Sequence, residues 1–228
     1  MTLDSSHLQT IYSARFAEAS HQSRMQLWGV LCRYWIQRYV STDAAVLDLA
    51  AGQCEFINQI VCRHKVAVDL NEDTQRYAAA DVRVVIARSD AMIGVNSDSM
   101  DVVFVSNFFE HLPTKQVFLE TLVEIRRVLK PGGKLLILQP NIRLLNGAYW
   151  DFLDHYLPLT DRTLVEAMTL ARMRVDEVKP RFLPYTTLSP IPRHPLLVRA
   201  YLAFPLAQWL MGKQTWLVAS KPHAESGT

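Results

Sequence analysis

The sequence predicts a doubly wound α/β domain with a mostly parallel sheet. Two observations predict it. Short apolar, β-branched runs alternate with segments of helical period from residue 45 to residue 138, and the run over 102–105 carries no polar interruption. Strands alternating with helices at that spacing join through right-handed crossovers into a parallel sheet, and an uninterrupted apolar run belongs at its centre. With 228 residues, half of them apolar, the chain can bury one sizeable core, so one domain with insertions is expected.

Taken in order, Leu8, Ile11, Tyr12 and Phe16, then Leu27, Val30, Leu31, Tyr34 and Trp35, recur at helical spacing. They predict two helices, a cap over residues 1–40 ahead of a main domain over 41–228. Ala45–Leu49 reads as a buried strand, 55–62 as a helix and 65–68 as a strand closed by Asp69. A helix over 73–79 and strands over 82–87 and 102–105 follow. The amphipathic stretch 115–129 stops at Pro131-Gly132-Gly133, a terminator followed by a turn, and 134–138 is the next strand. Thr160 is expected to cap a helix running to about Met173. Segments 174–183 and Gln214–Ser220 complete the strand set.

Composition excludes several classes. The formal charge is only +2 with no clustered Lys/Arg stripe, so nucleic acid is not the expected partner. The three cysteines, Cys32, Cys54 and Cys62, are odd in number and fall in or beside predicted helices, which speaks for a reducing compartment. The first residues carry neither a basic head nor an apolar stretch; no signal peptide and a cytoplasmic location are expected.

Ligands of doubly wound sheets bind at the carboxyl ends of the strands. Asp48 sits within the first strand, Asp69 closes the second and Asp90 follows the third, about twenty residues apart, so all three are expected to crowd one sheet edge. Each acid taken alone also suits a turn or cap. The run Val46-Leu47-Asp48-Leu49-Ala50-Ala51-Gly52-Gln53-Cys54-Glu55-Phe56 resembles the first motif of the class I S-adenosylmethionine-dependent methyltransferases, an acid followed by a turn with glycine at alternate positions. Val68-Asp69-Leu70-Asn71, Ser89-Asp90-Ala91 and Leu129-Lys130-Pro131-Gly132-Gly133-Lys134-Leu135-Leu136 resemble three further signatures of that family, in order and at matching spacing.

The resemblance implies a Rossmann-like, seven-stranded sheet with an antiparallel C-terminal strand, and S-adenosylmethionine as cofactor. It implies cofactor contacts from Asp48, Ala50, Gly52, Asp69, Leu70, Asp90, Ala91, Asn107 and Phe108. A nicotinamide fingerprint fits less well, because it wants three glycines for a pyrophosphate and this loop has one. Ala50 and Cys54 stand where the methyltransferase pattern has glycine; alanine is expected there with negative φ, and Cys54 as a buried inert thiol rather than a lowered-pKa one at a helix start. A methyltransferase-like module that no longer turns over remains the alternative from another class.

Methyl transfer is an in-line displacement, so positioning carries much of it, and a hydroxyl acceptor also needs a base. Glu110 and His111 follow the fourth strand; the competing expectation is a helix N-terminus at Glu110 with His111 satisfied by a carbonyl. If residues 149–156 are helical, Asp151, Asp154 and His155 share a face, with a carboxylate able to orient the imidazole. His155, Asp154 and His111 are therefore the catalytic candidates, and no metal is expected. The acceptor is expected to be a small molecule or a lipid- or sugar-linked intermediate methylated at oxygen. The apolar insertion at 185–212 is too short to span a bilayer. It reads as an ordinary buried helix, or as an apolar wall or peripheral membrane contact.

Overall fold

The structure, a computed structural model, describes residues 18–185 and 194–223. The first expected cap helix, around Leu8–Phe16 in sequence, lies outside the described residues. The chain opens with α1 (Glu18–Tyr34) and a 3-10 turn (Ile36–Tyr39), then alternates β1 (Ala45–Leu49), β2 (His64–Asp69), α2 (Thr74–Tyr77), β3 (Val82–Ile86), β4 (Met100–Ser106), α3 (Lys115–Val128) and β5 (Leu129–Pro140). There follow α4 (Ile142–Leu145), α5 (Asp161–Leu170), β6 (Arg174–Lys179), α6 (Pro195–Ala203), α7 (Pro205–Met211) and β7 (Gln214–Ser220).

All seven strands form one sheet in the order β3-β2-β1-β4-β5-β7-β6. β7 runs antiparallel to both neighbours and the other pairings are parallel. The order reverses between β1 and β4, the topological switch point beside which ligands of such sheets bind, outside the carboxyl ends of the strands.

Alternate residues on the central strands feed two cores. Leu47, Val103, Leu135 and Leu217 face Leu122 and Ile125 of α3 and Leu164 of α5. Val46, Phe104, Leu136 and Trp216 face Leu31 of α1, Phe56 and Tyr201 of α6. Phe104 is fully buried, its ring 4.0 Å from that of Phe56 and edge-on to Trp28 at 5.8 Å.

α3 begins where Thr114 accepts a hydrogen bond from the Val117 amide at 3.2 Å and buries Phe118, Leu122, Ile125 and Val128, an i, i+3/i+4 stripe. Pro131-Gly132-Gly133 is not a turn between elements but a bulge within β5, whose pairing jumps from Leu129 to Lys134 opposite β4. A Cβ at Gly133 would meet the Lys130 carbonyl oxygen at 2.8 Å, so the strand passes there only without a side chain. Thr160 caps α5 as expected, in a reciprocal capping box with Thr163, though the helix ends at Leu170.

Two further expectations fail. Residues 55–62 form overlapping turns rather than a helix. The segment makes only scattered turn bonds, from Asn58 to the Cys54 carbonyl and from Gln59 and Ile60 to the Phe56 carbonyl. The Gln37 side chain takes both the carbonyl and the amide of Val61, while the Asn58 side chain ties the segment to the Tyr77 carbonyl and the Ala79 amide. The apolar insertion is not an ordinary buried helix either. It holds two short helices, each with Pro at its start, and Leu196, Phe204, Leu206, Trp209 and Leu210 are all more than half exposed. Among the described residues no helix is long and apolar enough to cross a membrane.

Candidate functional site

The turn after β1 takes an unusual shape. Ala50, Gly52 and Cys54 have φ of 58°, 52° and 59°, the left-handed region at every second residue. This overturns the expectation of negative φ at Ala50. The backbone keeps the path that three glycines would take, at a cost of about 1–2 kcal/mol for each residue bearing a Cβ. The turn is fastened to β2. Ala50 and Ala51 both donate to the Val68 carbonyl, at 2.8 and 3.3 Å, and the Gly52 amide donates to Asp69 Oδ2 at 2.8 Å. Asp69 Oδ1 accepts from the Asn71 amide at 2.8 Å, so the acid that closes β2 is held by the backbone on two sides. Above Gly52 the space is open: a Cβ built there meets nothing within 4 Å.

Under the turn the charge is negative. Asp48 is 4% exposed, and burial, then Glu55 and Asp69, hold its carboxyl well above the usual range against one backbone bond from Ile57. Burial also raises Asp69, although the amides of Asn71, Gly52 and Leu70 pull it back. Glu55 pairs with Arg24 Nε of α1 at 2.8 Å, and His21 and Arg24 both bond Gln53 at the tip of the turn, so α1 covers one side of it. The Cys54 thiol is pushed up to about 12, by burial first and then by Asp48, Asp69 and Glu55, and stays inert.

Of the three acids expected at one sheet edge, Asp48 and Asp69 interact, while Asp90, beyond the end of β3, has Arg88 as its partner. Asp90 forms a two-point pair with Arg88, 2.8 and 2.6 Å, whose guanidinium lowers its pKa. Glu55, not singled out from the sequence, takes the third place; its only signal was its position one residue beyond the turn. Leu70, 64% exposed, stands beside Asp69, and Asp90 and the half-buried Ala91 follow β3 on the same side of β1. A nucleoside carrying a positive charge fits these residues. Carboxylates of this kind can pair with a cation or accept from hydroxyls, the turn leaves room for close approach at Gly52, and Leu70 is an exposed apolar side chain.

Across the order reversal, Asn107 adopts φ 47°, its amide donating to the Leu138 carbonyl at 2.9 Å and its Nδ2 to Ser106 Oγ at 2.9 Å. Phe108 is half-buried beside it. A 3-10 turn (Phe109–His111) then delivers Glu110 and His111. Glu110 is 1% exposed; Gln139 Nε2 at the end of β5 donates to its Oε2 at 2.8 Å, and its carbonyl accepts from Tyr156 and Leu157.

His111 Nδ1 lies 2.9 Å from the Asp154 carbonyl and 3.2 Å from Asp154 Oδ2, and His155 Nδ1 lies 2.7 Å from the Tyr149 carbonyl. The two imidazole centroids are 5.0 Å apart. The three catalytic candidates therefore come together, with one exchange of roles: Asp154 orients His111, and His155 is oriented by a carbonyl. The reason is local. Residues 149–156 are not one helix; the 3-10 turn Asn146–Asp151 ends there and the chain bends, so Asp154 and His155 no longer share a face with Asp151.

Burial depresses the His111 pKa, but the Asp154 side chain and the Glu110 charge outweigh it and the net direction is up. Burial dominates at His155 and takes its pKa down. Gln139 and the Tyr149 carbonyl are further residues that sequence reasoning missed.

Residues 47–137 match the family model of the methyltransferase domain. An uncharacterized methyltransferase-like protein of Schizosaccharomyces pombe is 26% identical over 179 residues, 75% of this chain and 61% of its own length. The ubiquinone/menaquinone biosynthesis C-methyltransferase UbiE of Blochmanniella pennsylvanica is 26% identical over 170 residues, 68% of this chain and 65% of that protein. The chain thus spans under two thirds of the length of these relatives. Among solved structures, an S-adenosylmethionine-dependent methyltransferase from Archaeoglobus fulgidus superposes with a TM-score of 0.66 at 21% identity, covering 93% of this chain and 99% of that one. The domain match takes in both the fastened turn and the Glu110–His111 segment, so residues 47–137 resemble a methyltransferase domain, and the fold as a whole is shared with the solved S-adenosylmethionine-dependent methyltransferase.

Proposed function

We propose that the protein transfers a methyl group from S-adenosylmethionine to an oxygen of a small-molecule or lipid- or sugar-linked acceptor. The observation that carries this reading is the turn itself: Gly52 tied to the Asp69 carboxylate, open above, with Asp48 and Glu55 beneath. Asp69 accepts hydroxyl hydrogen bonds, Asp48 and Glu55 favour a cation, and Leu70, Asp90, Ala91, Asn107 and Phe108 border the same crevice. When bound, the cofactor supplies an electrophilic methyl on a positive sulfur.

The residues beyond β4 and β5 do the rest. Nδ1 of both histidines faces a carbonyl oxygen, which only accepts, so each ring carries its proton on Nδ1 and keeps a lone pair on Nε2. That lone pair takes the hydroxyl proton of the acceptor as the methyl moves, and Asp154 acts as a positioning residue for His111. General-base help of this kind is worth about 10²–10⁴-fold.

The acceptor site runs into the apolar insertion. Phe152 packs on His155 at 5.1 Å between centroids and on Tyr185 at 6.0 Å, and Tyr185 begins that segment. From Lys179 to Ala224 the sequence has no acidic residue and six Lys or Arg. An apolar face with a purely basic rim suits an anionic lipid surface, and we assign α6 and α7 to such contact.

Turnover is tested with tritiated S-adenosylmethionine and aqueous or organic-solvent extracts of cells, following S-adenosylhomocysteine and label. Label in an oxygen ether or ester, lost with His111→Ala, is expected. Binding without turnover on any fraction supports the inactive module instead. Sedimentation with phosphatidylglycerol vesicles, compared with phosphatidylcholine and with Trp209→Glu, tests the lipid contact; equal recovery in all three rejects it.

A further inference from the structure

We propose that Glu110, His111 and His155 form a binding site for one divalent transition-metal ion of the zinc class, at the acceptor end of the crevice. The inference rests on the acceptor site just described and adds an occupant to it. One ligand-capable atom from each of the three residues lies within 4.8 Å of the others. His111 Nε2 stands 4.0 Å from Glu110 Oε1.

Each of these groups is already braced in the manner of a metal ligand. A ligating imidazole donates its second N–H to a carboxylate or carbonyl, which fixes its tautomer and raises its basicity. His111 does so to Asp154, through both carbonyl and carboxylate, and His155 to the Tyr149 carbonyl. Glu110 commits Oε2 to Gln139 and leaves Oε1 on the side of His111.

Two nitrogens and one carboxylate oxygen are the donor set of an open zinc site, with a position left for water or an acceptor oxygen. Bonds of about 2.0–2.2 Å place tetrahedral neighbours roughly 3.3–3.5 Å apart, so the set needs to contract by about 1 Å. A carboxylate on a three-bond side chain can supply that movement. Glu110 and His155 are almost wholly buried, so a cation entering there exchanges water for fixed, oriented donors. With the ion in place the two rings act on the acceptor oxygen through it. A proton on His111, shared between Glu110 and Asp154, is the competing occupant.

Chelator-stripped full-length protein titrated with Co²⁺, and separately with Zn²⁺ by calorimetry, tests this. One equivalent is expected to bind with a cobalt d–d spectrum of a four- or five-coordinate N/O site. His155→Ala and Glu110→Gln are each expected to weaken binding at least about tenfold, and Asp154→Asn by about 10–100-fold through lost orientation of His111. Asp69→Ala, which removes the cofactor contact, is expected to leave cobalt binding unchanged, so failure of the metal site and failure of the cofactor reading are distinguishable. The proposal is overturned by the absence of a saturable cobalt band. It is equally overturned by binding undiminished in a folded His155→Ala protein, or by thiolate charge transfer placing the ion at a cysteine.

Discussion

Replacing Ala50 by glycine is expected to stabilise this protein, although glycine in place of alanine ordinarily does the reverse. Ala50 holds φ 58°, and a Cβ in the left-handed region costs about 1–2 kcal/mol. Glycine removes that strain but loses about 0.5–1 kcal/mol through the extra freedom of the unfolded chain. The Ala50 methyl is only partly buried, so little packing is forfeited. The balance is a gain of roughly 0.5–1 kcal/mol, a rise of about 1–4 °C in Tm for a chain of this size. Urea unfolding of Ala50→Gly beside Ala51→Gly reads it directly, because Ala51 is not among the left-handed residues and its substitution should cost about 0.5–1 kcal/mol. If both glycines destabilise alike, Ala50 is not left-handed and the cradle described for the cofactor does not exist.

Three further outcomes follow from the same geometry. Asp48 is raised in the fold, so the native state binds more protons than the unfolded chain between the ordinary value near 3.9 and the raised one. Stability therefore falls as pH rises through that window. Asp48→Asn should flatten this dependence in pH-resolved thermal melts, raise Tm at pH 7 and weaken S-adenosylmethionine. His111 is raised, so its contribution is fully present below about pH 6.5 and is lost as pH climbs through the raised value. Asp154→Asn should bring the His111 ring titration downward in proton NMR, an unchanged midpoint counting against the pair. Phe104→Ala, which empties the centre of one core, is expected to cost about 3–5 kcal/mol in denaturant unfolding, a loss under 1 kcal/mol being inconsistent with its burial.

Legibility from sequence tracked the range of the interactions. β1 and β7 were readable to the residue because apolar, β-branched runs flanked by turns have no good alternative state, and α3 to within one residue at its end because its apolar stripe is long and amphipathic. The turns at 55–62 were not, since the segment is fixed by partners about twenty or more residues away in sequence, the Gln37 side chain on Val61 and the backbone of Tyr77 and Ala79 on the Asn58 side chain. At the site, the spacing of Asp48 and Asp69 was legible as a pattern of strand ends. The diversion of Asp90 to Arg88 and the arrival of Glu55 depend on which way loops turn. The pairing of Asp154 with His111 rather than its neighbour His155 depends on a bend that no local periodicity encodes. The φ of Ala50 was misjudged because residue type argues for negative φ, whereas two bonds to the Val68 carbonyl decide the backbone path.

Calorimetric titration of the full chain with S-adenosylmethionine and S-adenosylhomocysteine, repeated on Asp69→Asn, bears most directly on the cofactor site. One-site binding of both ligands, weakened at least about tenfold by a substitution that keeps the size of the side chain but removes its charge, is the predicted result; charged hydrogen bonds are worth about 1.5–3 kcal/mol. Absence of heat with either ligand, or affinity untouched in the variant, contradicts it.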